Sequence, residues 1–428
     1  MSTAGHKCVT DAAGAQRLSN KWVVLAVLMA VSLVNYGDRY LLAGLAEPIK
    51  REFAMSDSFM GLLMGPAFAL LYSIVAVPIA LYADKASRIM IVCIGCVAWS
   101  GFTILSGLAT SPGMLAFARV GVGVGEAAFQ APAYALLAAY FPAEQRGKAF
   151  AVMGMAIYFG QLIGYAGGPA IAARGTWHDA FEVLGLAGIG IALLAWLTVR
   201  EPPRPVAPVS QPKEPLWPLF KRLMAARSFR FMTLGMALGT LSGISFGMWG
   251  PALFERAYGL TTQQASGAFG LAFGMPGLAG MLLFGFLVDR LTRKGPQWLL
   301  LLAAVALFSA TGMILAVTWA PTLGAAQLMA IPSGLLGGGW SIGIMAALQY
   351  VLPDRFRATG TALGLLVINL VGYVLGPLLA GQLSDLVAGT GATSLRVALS
   401  FVIPVGFGGA LLMWLGGRSI ESDRTKLA

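Results

Sequence analysis

Twelve mainly apolar stretches, each long enough to cross a hydrocarbon layer, leave this chain few folds to choose from. A spanning helix needs about 20 such residues. The stretches run roughly over 21–47, 57–83, 89–109, 112–140, 147–172, 178–199, 230–256, 263–288, 297–318, 322–351, 358–386 and 394–416. Hydrocarbon offers backbone groups no partner, so segments of this length must satisfy their own hydrogen bonds as helices. The pattern predicts an all-α integral membrane protein of twelve transmembrane helices in two six-helix bundles. With 57% hydrophobic and 11% charged residues among 428, a soluble enzyme is excluded.

The connections are short except over 200–229, where Pro202, Pro203, Pro205, Pro208, Pro212, Pro215 and Pro218 mark a linker with an interfacial segment. The expected organisation is a tail (1–20), a six-helix half (21–199), the linker (200–229), a second six-helix half (230–417) and a tail (418–428). Of the 29 Lys and Arg, Lys50, Arg51, Arg174, Arg256 and Arg396 fall on one side, and Arg39 and Arg119 lie inside spans. All the others gather on the side of the termini. Lys and Arg accumulate on the cytoplasmic side, so both termini are expected in the cytoplasm, beneath the cell membrane. The same bias accounts for the net charge of +11 without a nucleic-acid partner. Residues 1–20 lack the apolar core of a signal peptide.

Three stretches of the first half recur in register in the second. Asp84, Lys85 and Arg88 after the second span are answered by Asp289, Arg290 and Arg293 after the eighth. Phe141-Pro142 with Arg146 is answered by Leu352-Pro353 with Arg357, and Gly164 with Gly168-Pro169 by Gly372 with Gly376-Pro377. Parallel repeats of this kind put a substrate near the bilayer midplane between the halves, with access alternating as they rock. A monomer is sufficient for such a design.

Inside the first span stands Val34-Asn35-Tyr36-Gly37-Asp38-Arg39-Tyr40. An acid and a base at this depth are expensive, and by default they mark an ion or substrate path. In the fourth span Arg119 and Glu126 are two helical turns apart, on one face and about 10 Å apart along the axis. Asp38 and Arg39 project about 100° apart, so one is expected to face the fourth span and the other the pore or a neighbour. Burial favours a neutral acid and a nearby arginine an ionised one, so motion of the arginine can load and unload a proton. Asp38 and Glu126 are therefore the candidate proton carriers, with Arg119 or Arg39 moving as the switch partner, or Arg119 serving as the counter-charge for an anionic head group. The alternative is a fixed salt bridge that only holds the first and fourth spans together. Gly121, Gly123 and Gly125 follow no strand and miss the phosphate-binding spacing, so they read as close helix packing.

Over essentially its whole length the chain resembles the major facilitator superfamily, whose signature loop is similar to Asp84-Lys85 with Arg88 and its echo at Asp289. Within that superfamily it looks most like the spinster-type transporters. The closer match rests on Asn35-Tyr36-Gly37-Asp38-Arg39, the run from Arg119 to Glu126, Phe141-Pro142 with Arg146, and Gly164 with Gly168-Pro169. The resemblance implies a proton-coupled secondary transporter; animal spinster-type proteins carry sphingosine-1-phosphate and lysophospholipids. It also implies a gating role near the cytoplasmic face for Asp84, Arg88, Arg146, Asp289 and Arg293. An Asn-Tyr-x-Asp-Arg segment also occurs in organic-anion symporters, and the Gly-Glu of the fourth span tips the choice. The chain departs from the general superfamily pattern at Glu126, where a small residue is usual, and at Val122, where a polar one is. The antiporter motif it partly matches has a further glycine pair, here Ala172-Ala173.

The expected cavity is lined by Asn35, Tyr36, Gln130, Tyr158 and Gln161 from the first half and by Ser242, Phe246, Trp249, Trp340, Gln349 and Asn369 from the second. One side is then charged and the other apolar and aromatic. That asymmetry suits an amphipathic substrate of the lysolipid or sphingoid class, with a proton-coupled organic-anion symporter or a multidrug exporter as alternatives. Cys8, Cys93 and Cys96 make no disulfide framework, and His6 and His178 lack metal-ligand spacing. With no activated nucleophile, metal set or nucleotide-binding loop, an enzyme is not expected, and a proton gradient is the only driving partner called for.

Overall fold

The computed structural model describes residues 19–83, 85–203, 215–353, 356–387 and 391–427. The expected gate residue Asp84 lies outside them. Among the described residues, 11 helices are long and apolar enough to cross a membrane. Numbered as in the sequence they are the first (Lys21–Gly44), second (Asp57–Ala83), third (Arg88–Gly107), fifth (Ala143–Ala172), sixth (Trp177–Thr198), seventh (Arg227–Tyr258), eighth (Thr262–Thr292), ninth (Pro296–Thr318), tenth (Leu323–Val351), eleventh (Thr359–Leu386) and twelfth (Ala392–Gly417).

The stretch expected as a continuous fourth span is two shorter helices, Pro112–Glu126 and Gln130–Tyr140. Pro132 accounts for the break: it offers no N–H to the carbonyl four residues earlier, and its ring crowds that carbonyl. Ala128 and Phe129 instead close tighter turns onto Gly125 and Glu126. Glu126 thus sits at the end of a helix rather than in the middle of one.

Hydroxyl caps set where several spans begin. Ser56, Ser87, Ser111, Thr261 and Thr322 each accept a hydrogen bond from the amide three residues on, satisfying a donor the helix leaves free. Proline shapes four spans internally. The second breaks at Gly65-Pro66, and the fifth, eighth and eleventh widen into π-helical turns at Ile163–Gly167, Gly270–Gly274 and Asn369–Leu375. Each π turn runs directly into Pro169, Pro276 or Pro377, and absorbs that residue's missing donor without unwinding the helix.

Within the first half the third span packs on the sixth and the first on the fifth; within the second, the ninth packs on the tenth and the seventh on the twelfth. Small residues make the approaches close. A side chain at Gly121 would strike the Phe102 ring, at Gly123 the Phe68 backbone and at Gly125 Trp99, which is the packing role expected of this glycine run. The first and last described residues lie at one end of the molecule: Ser19 Oγ donates to the Thr198 carbonyl at 2.6 Å, and Asp423 accepts from the Ser228 amide at 2.7 Å. At the opposite, far end the halves meet tightly. Gly61 lies on the backbone of Pro377 and Leu378, Gly65 on that of Tyr373 and Val374, and Ser266 Oγ donates to the Gly44 carbonyl at 2.8 Å.

Candidate functional site

Two ion pairs tie the first span to the helix 112–126. Arg119 Nη1 lies 3.3 Å from Asp38 Oδ1, and Arg39 Nη2 lies 2.7 Å from Glu126 Oε2. All four side chains are buried. The pairing is crossed: the acid of each helix meets the base of the other. The structure differs here from the expectation that one of Asp38 and Arg39 faces the fourth span and the other the pore or a neighbour: both meet the fourth span. Both reach the same helix because Arg119 and Glu126 stand two turns apart and meet them at different depths.

The surroundings fix each group. Thr103 of the third span donates through Oγ1 to Asp38 Oδ2 at 2.6 Å. The Arg39 guanidinium lies 4.7 Å from the Phe68 ring centre, 5.2 Å from that of Tyr36, 5.3 Å from Tyr72 and 5.9 Å from Tyr373. Aromatic faces stabilise a cation where water cannot. Tyr373 belongs to the eleventh span, so this cage is completed by the second half of the chain. Several buried polar atoms around the set carry no hydrogen bond: Asn35 Oδ1 and Nδ2, Arg39 Nε, Arg119 Nε and Glu126 Oε1. A set of two acids and two bases that is neutral overall, with spare donors and acceptors, can exchange partners at modest cost.

Of the expected cavity residues, Tyr36 accepts through its hydroxyl from Gln130 Nε2 at 2.7 Å, beside the Arg39 cage. Tyr158 donates to the Gly338 carbonyl of the tenth span at 2.8 Å, and Gln161 is half-buried beside Gly274. These polar side chains of the first half stand together with the charge set or face the second half. On the other side the placement is different. Ser242 donates to the Ile403 carbonyl at 2.8 Å, and Trp249 Nε1 to the Pro377 carbonyl at 2.9 Å. Phe246 is enclosed by Phe269 and Phe273. All three are buried in helix packing in this conformation. Trp340 packs over Gly239, Gln349 donates to Thr361 Oγ1 at 3.0 Å, and Asn369 opens the π turn of the eleventh span, half-buried.

At the terminal end, Arg88 Nε stands 4.0 Å from Glu201 Oε1, and that carboxylate also accepts from Ser87 Oγ at 3.2 Å and from the Ile89 amide at 3.1 Å. Arg146 Nε donates to the Phe141 carbonyl at 3.0 Å. Asp289 and Arg293 are exposed.

The far end holds a cluster that the sequence reading passed over. Arg256, at the end of the seventh span, donates to Glu47 Oε1 at 2.6 Å and to Asp57 Oδ1 and Oδ2 at 2.7 and 2.8 Å. Lys50 also pairs with Asp57, and Ser384 Oγ donates to Asp57 Oδ2 at 2.6 Å. Asp385 accepts from the amides of Asp57 and Ser58 at 3.0 and 2.7 Å, so an acid of the second half caps the second span. These residues lie at span ends far apart in the chain, and only the Ser-Asp start of the second span signals them. Thr103, Phe68, Tyr72 and Tyr373 were missed as well; each is an ordinary residue of an apolar helix until its neighbours are known.

Residues 28–377 match the family model of the Major Facilitator Superfamily. An MFS-type efflux pump of Mycolicibacterium smegmatis is 31% identical over 422 residues, spanning 97% of this chain and 96% of the relative. Protein spinster homolog 1 of Homo sapiens is 30% identical over 407 residues, spanning 88% of this chain and 76% of the relative. A solved bacterial homolog of the human lysosomal transporter Spinster, inward-facing and unoccupied, aligns with a TM-score of 0.82 at 26% identity, covering 96% of this chain and 99% of that one. A polytopic all-α chain, with buried charges where its halves meet, belongs with them: it is a secondary transporter of the Major Facilitator Superfamily with spinster-type relatives.

Proposed function

We propose that this chain is a proton-coupled transporter that works by alternating access and moves an amphipathic, lipid-like molecule of the lysolipid or sphingoid class. The observation that carries the reading is the crossed set Asp38–Arg119 and Arg39–Glu126, buried beside the second half. Protonation of either acid frees its arginine, and an unpaired buried guanidinium must find another anion or another position. A phosphate or carboxylate head group can serve as that anion, with the tail along the aromatic lining. The helices 112–126 and 130–140 act together as the fourth crossing, bringing the total to twelve in two six-helix bundles with both termini in the cytoplasm. Arg88 and Arg146 at the terminal end, and the Arg256 cluster at the far end, gate the two openings in turn. The chain acts as a monomer, and it is a carrier rather than an enzyme.

A second reading is supported by the mycobacterial relative, named an efflux pump: the same proton set would drive export of drug-like cations or anions. Transport in proteoliposomes under an imposed pH gradient tests both. A panel of a lysophospholipid, sphingosine, an organic anion and ethidium is supplied to wild type, Asp38→Asn and Glu126→Gln. Proton-dependent movement of the lysolipid or sphingosine, abolished by at least one substitution, supports the lipid reading. Movement of ethidium alone selects the exporter. Wild-type proton coupling in both variants overturns the mechanism.

A further inference from the structure

Thr103 stands where one proton has two claimants. Its hydroxyl lies 2.6 Å from Asp38 Oδ2 and 2.9 Å from the carbonyl of Trp99, one turn back in its own helix. A hydroxyl carries a single hydrogen and two lone pairs, so it cannot donate to both at once. A threonine in a helix ordinarily turns its hydrogen to the carbonyl four residues back. Here the shorter contact is to the carboxylate, at the length of a charge-assisted bond. Among the described residues the other hydrogen-bonding neighbour of Asp38 is Arg119, with Arg39 and Glu126 as the further charges of the same cluster. Trp99 and Thr103 are buried, and no water-exposed face competes for the hydroxyl.

We propose that Thr103 is a two-position proton latch, a positioning residue that sets how tightly Asp38 holds its proton and signals the acid's state to the third span. With Asp38 ionised, the Thr103 hydrogen points to Oδ2 and stabilises the negative charge. When a proton arrives from the aqueous path, an O–H bond forms on Oδ2 and no bond breaks in Thr103. The new carboxyl hydrogen donates to the Thr103 oxygen, and the Thr103 hydrogen turns to the Trp99 carbonyl. In both states the Thr103 hydrogen and the Oδ2 atom of Asp38 keep a hydrogen-bond partner, so the exchange leaves neither hydroxyl hydrogen empty. Protonation also removes the charge that holds Arg119, so the latch turns as that ion pair loosens.

The inference rests on Asp38 being a proton carrier, and the test separates the two. Purified wild type, Asp38→Asn, Thr103→Val and Thr103→Ser are titrated with acid and followed by infrared difference spectroscopy, with protons as the only probe. The carboxylic carbonyl band missing in Asp38→Asn belongs to Asp38. Thr103→Val keeps the shape and removes the donor, so the pH midpoint of that band should move up by about one unit or more and its frequency should shift. Thr103→Ser should titrate as wild type. Should the valine variant fail to fold, Thr103→Ala makes the same test. A midpoint and frequency unchanged in the donor-less variant overturn the latch and leave the carrier reading standing. A spectrum in which Asp38→Asn removes no titrating band overturns both.

Discussion

A buried arginine is held in this molecule by one acid and by rings. Arg119 has Asp38 within 3.3 Å and the Phe68 ring 5.6 Å away, while Arg39 has Glu126 and four aromatic neighbours. Removing one member of such a pair leaves an uncompensated charge, which typically costs about 3–5 kcal/mol; neutralising both members costs far less. Arg119→Ala should therefore lower the thermal unfolding temperature in detergent sharply. The double variant Asp38→Asn with Arg119→Gln should recover most of that loss while remaining inactive in transport. A double variant as unstable as the single one would show that the pair is no closed unit. The buried charges themselves were legible in the sequence, because acids and bases stand out in apolar runs. Their pairing was not, since spacing along one helix fixes depth and face but says nothing of which neighbour lies opposite.

Proline decides more of the helix geometry than hydropathy reveals. The apolar run 112–140 reads as one span, yet Pro132 ends the helix at Glu126 and starts another at Gln130. That places the carboxylate at a helix terminus, where the chain can turn it toward Arg39. Pro132→Ala restores the missing donor and lets the helix run on, rotating Glu126 away from its partner. Proton-driven transport should fall by about tenfold or more, the effect of losing one charge-assisted hydrogen bond, with expression and monodispersity retained. A variant that transports at the wild-type rate would separate the break from function. The π turns before Pro169, Pro276 and Pro377 were equally hidden. A sequence shows the proline, but whether a helix answers it with a kink, a break or a wider turn depends on its packing. Spans five, eight and eleven, like the interrupted second, lie where the halves touch, at Tyr165 on Gly247, Ser266 on Gly44 and Gly65 on Tyr373. The break in the second and the wider turns in the other three give these helices bending points, at the middle of the eleventh and in the half nearer the far end of the second, fifth and eighth.

The molecule as a whole is closed at that end by contacts between residues that the chain keeps far apart. Internal repetition made the architecture readable, since Gly164 with Pro169 and Gly372 with Pro377 announce two similar halves. The clasp follows the repeat only in part: Arg51 of the first half, 3.2 Å from Glu255 and donating to Thr262 Oγ1 at 3.4 Å, answers Arg256 on Glu47 and Asp57, but Thr262 carries no charge where Asp57 does. Closure must yield if a substrate is to leave or enter there, so the clasp should contribute enough to bias the equilibrium and too little to lock it. Arg256→Gln removes the bidentate hold on Asp57 and both bonds to Glu47, leaving Lys50 and Ser384 on Asp57. Losing about 2 kcal/mol of charge-assisted bonding shifts a two-state population roughly thirtyfold. Spin labels at Arg174→Cys and Gln263→Cys, exposed at the far ends of the two halves and placed on a background without Cys8, Cys93 and Cys96, read that shift directly. The variant should add a longer distance to the wild-type one and raise far-side accessibility in labelling experiments. A single unchanged distance would assign closure to the backbone packing of Gly61 on Pro377 and Gly381 on Asp57. In that case Gly61→Leu, which has no room in the closed form, is the variant that forces the longer distance.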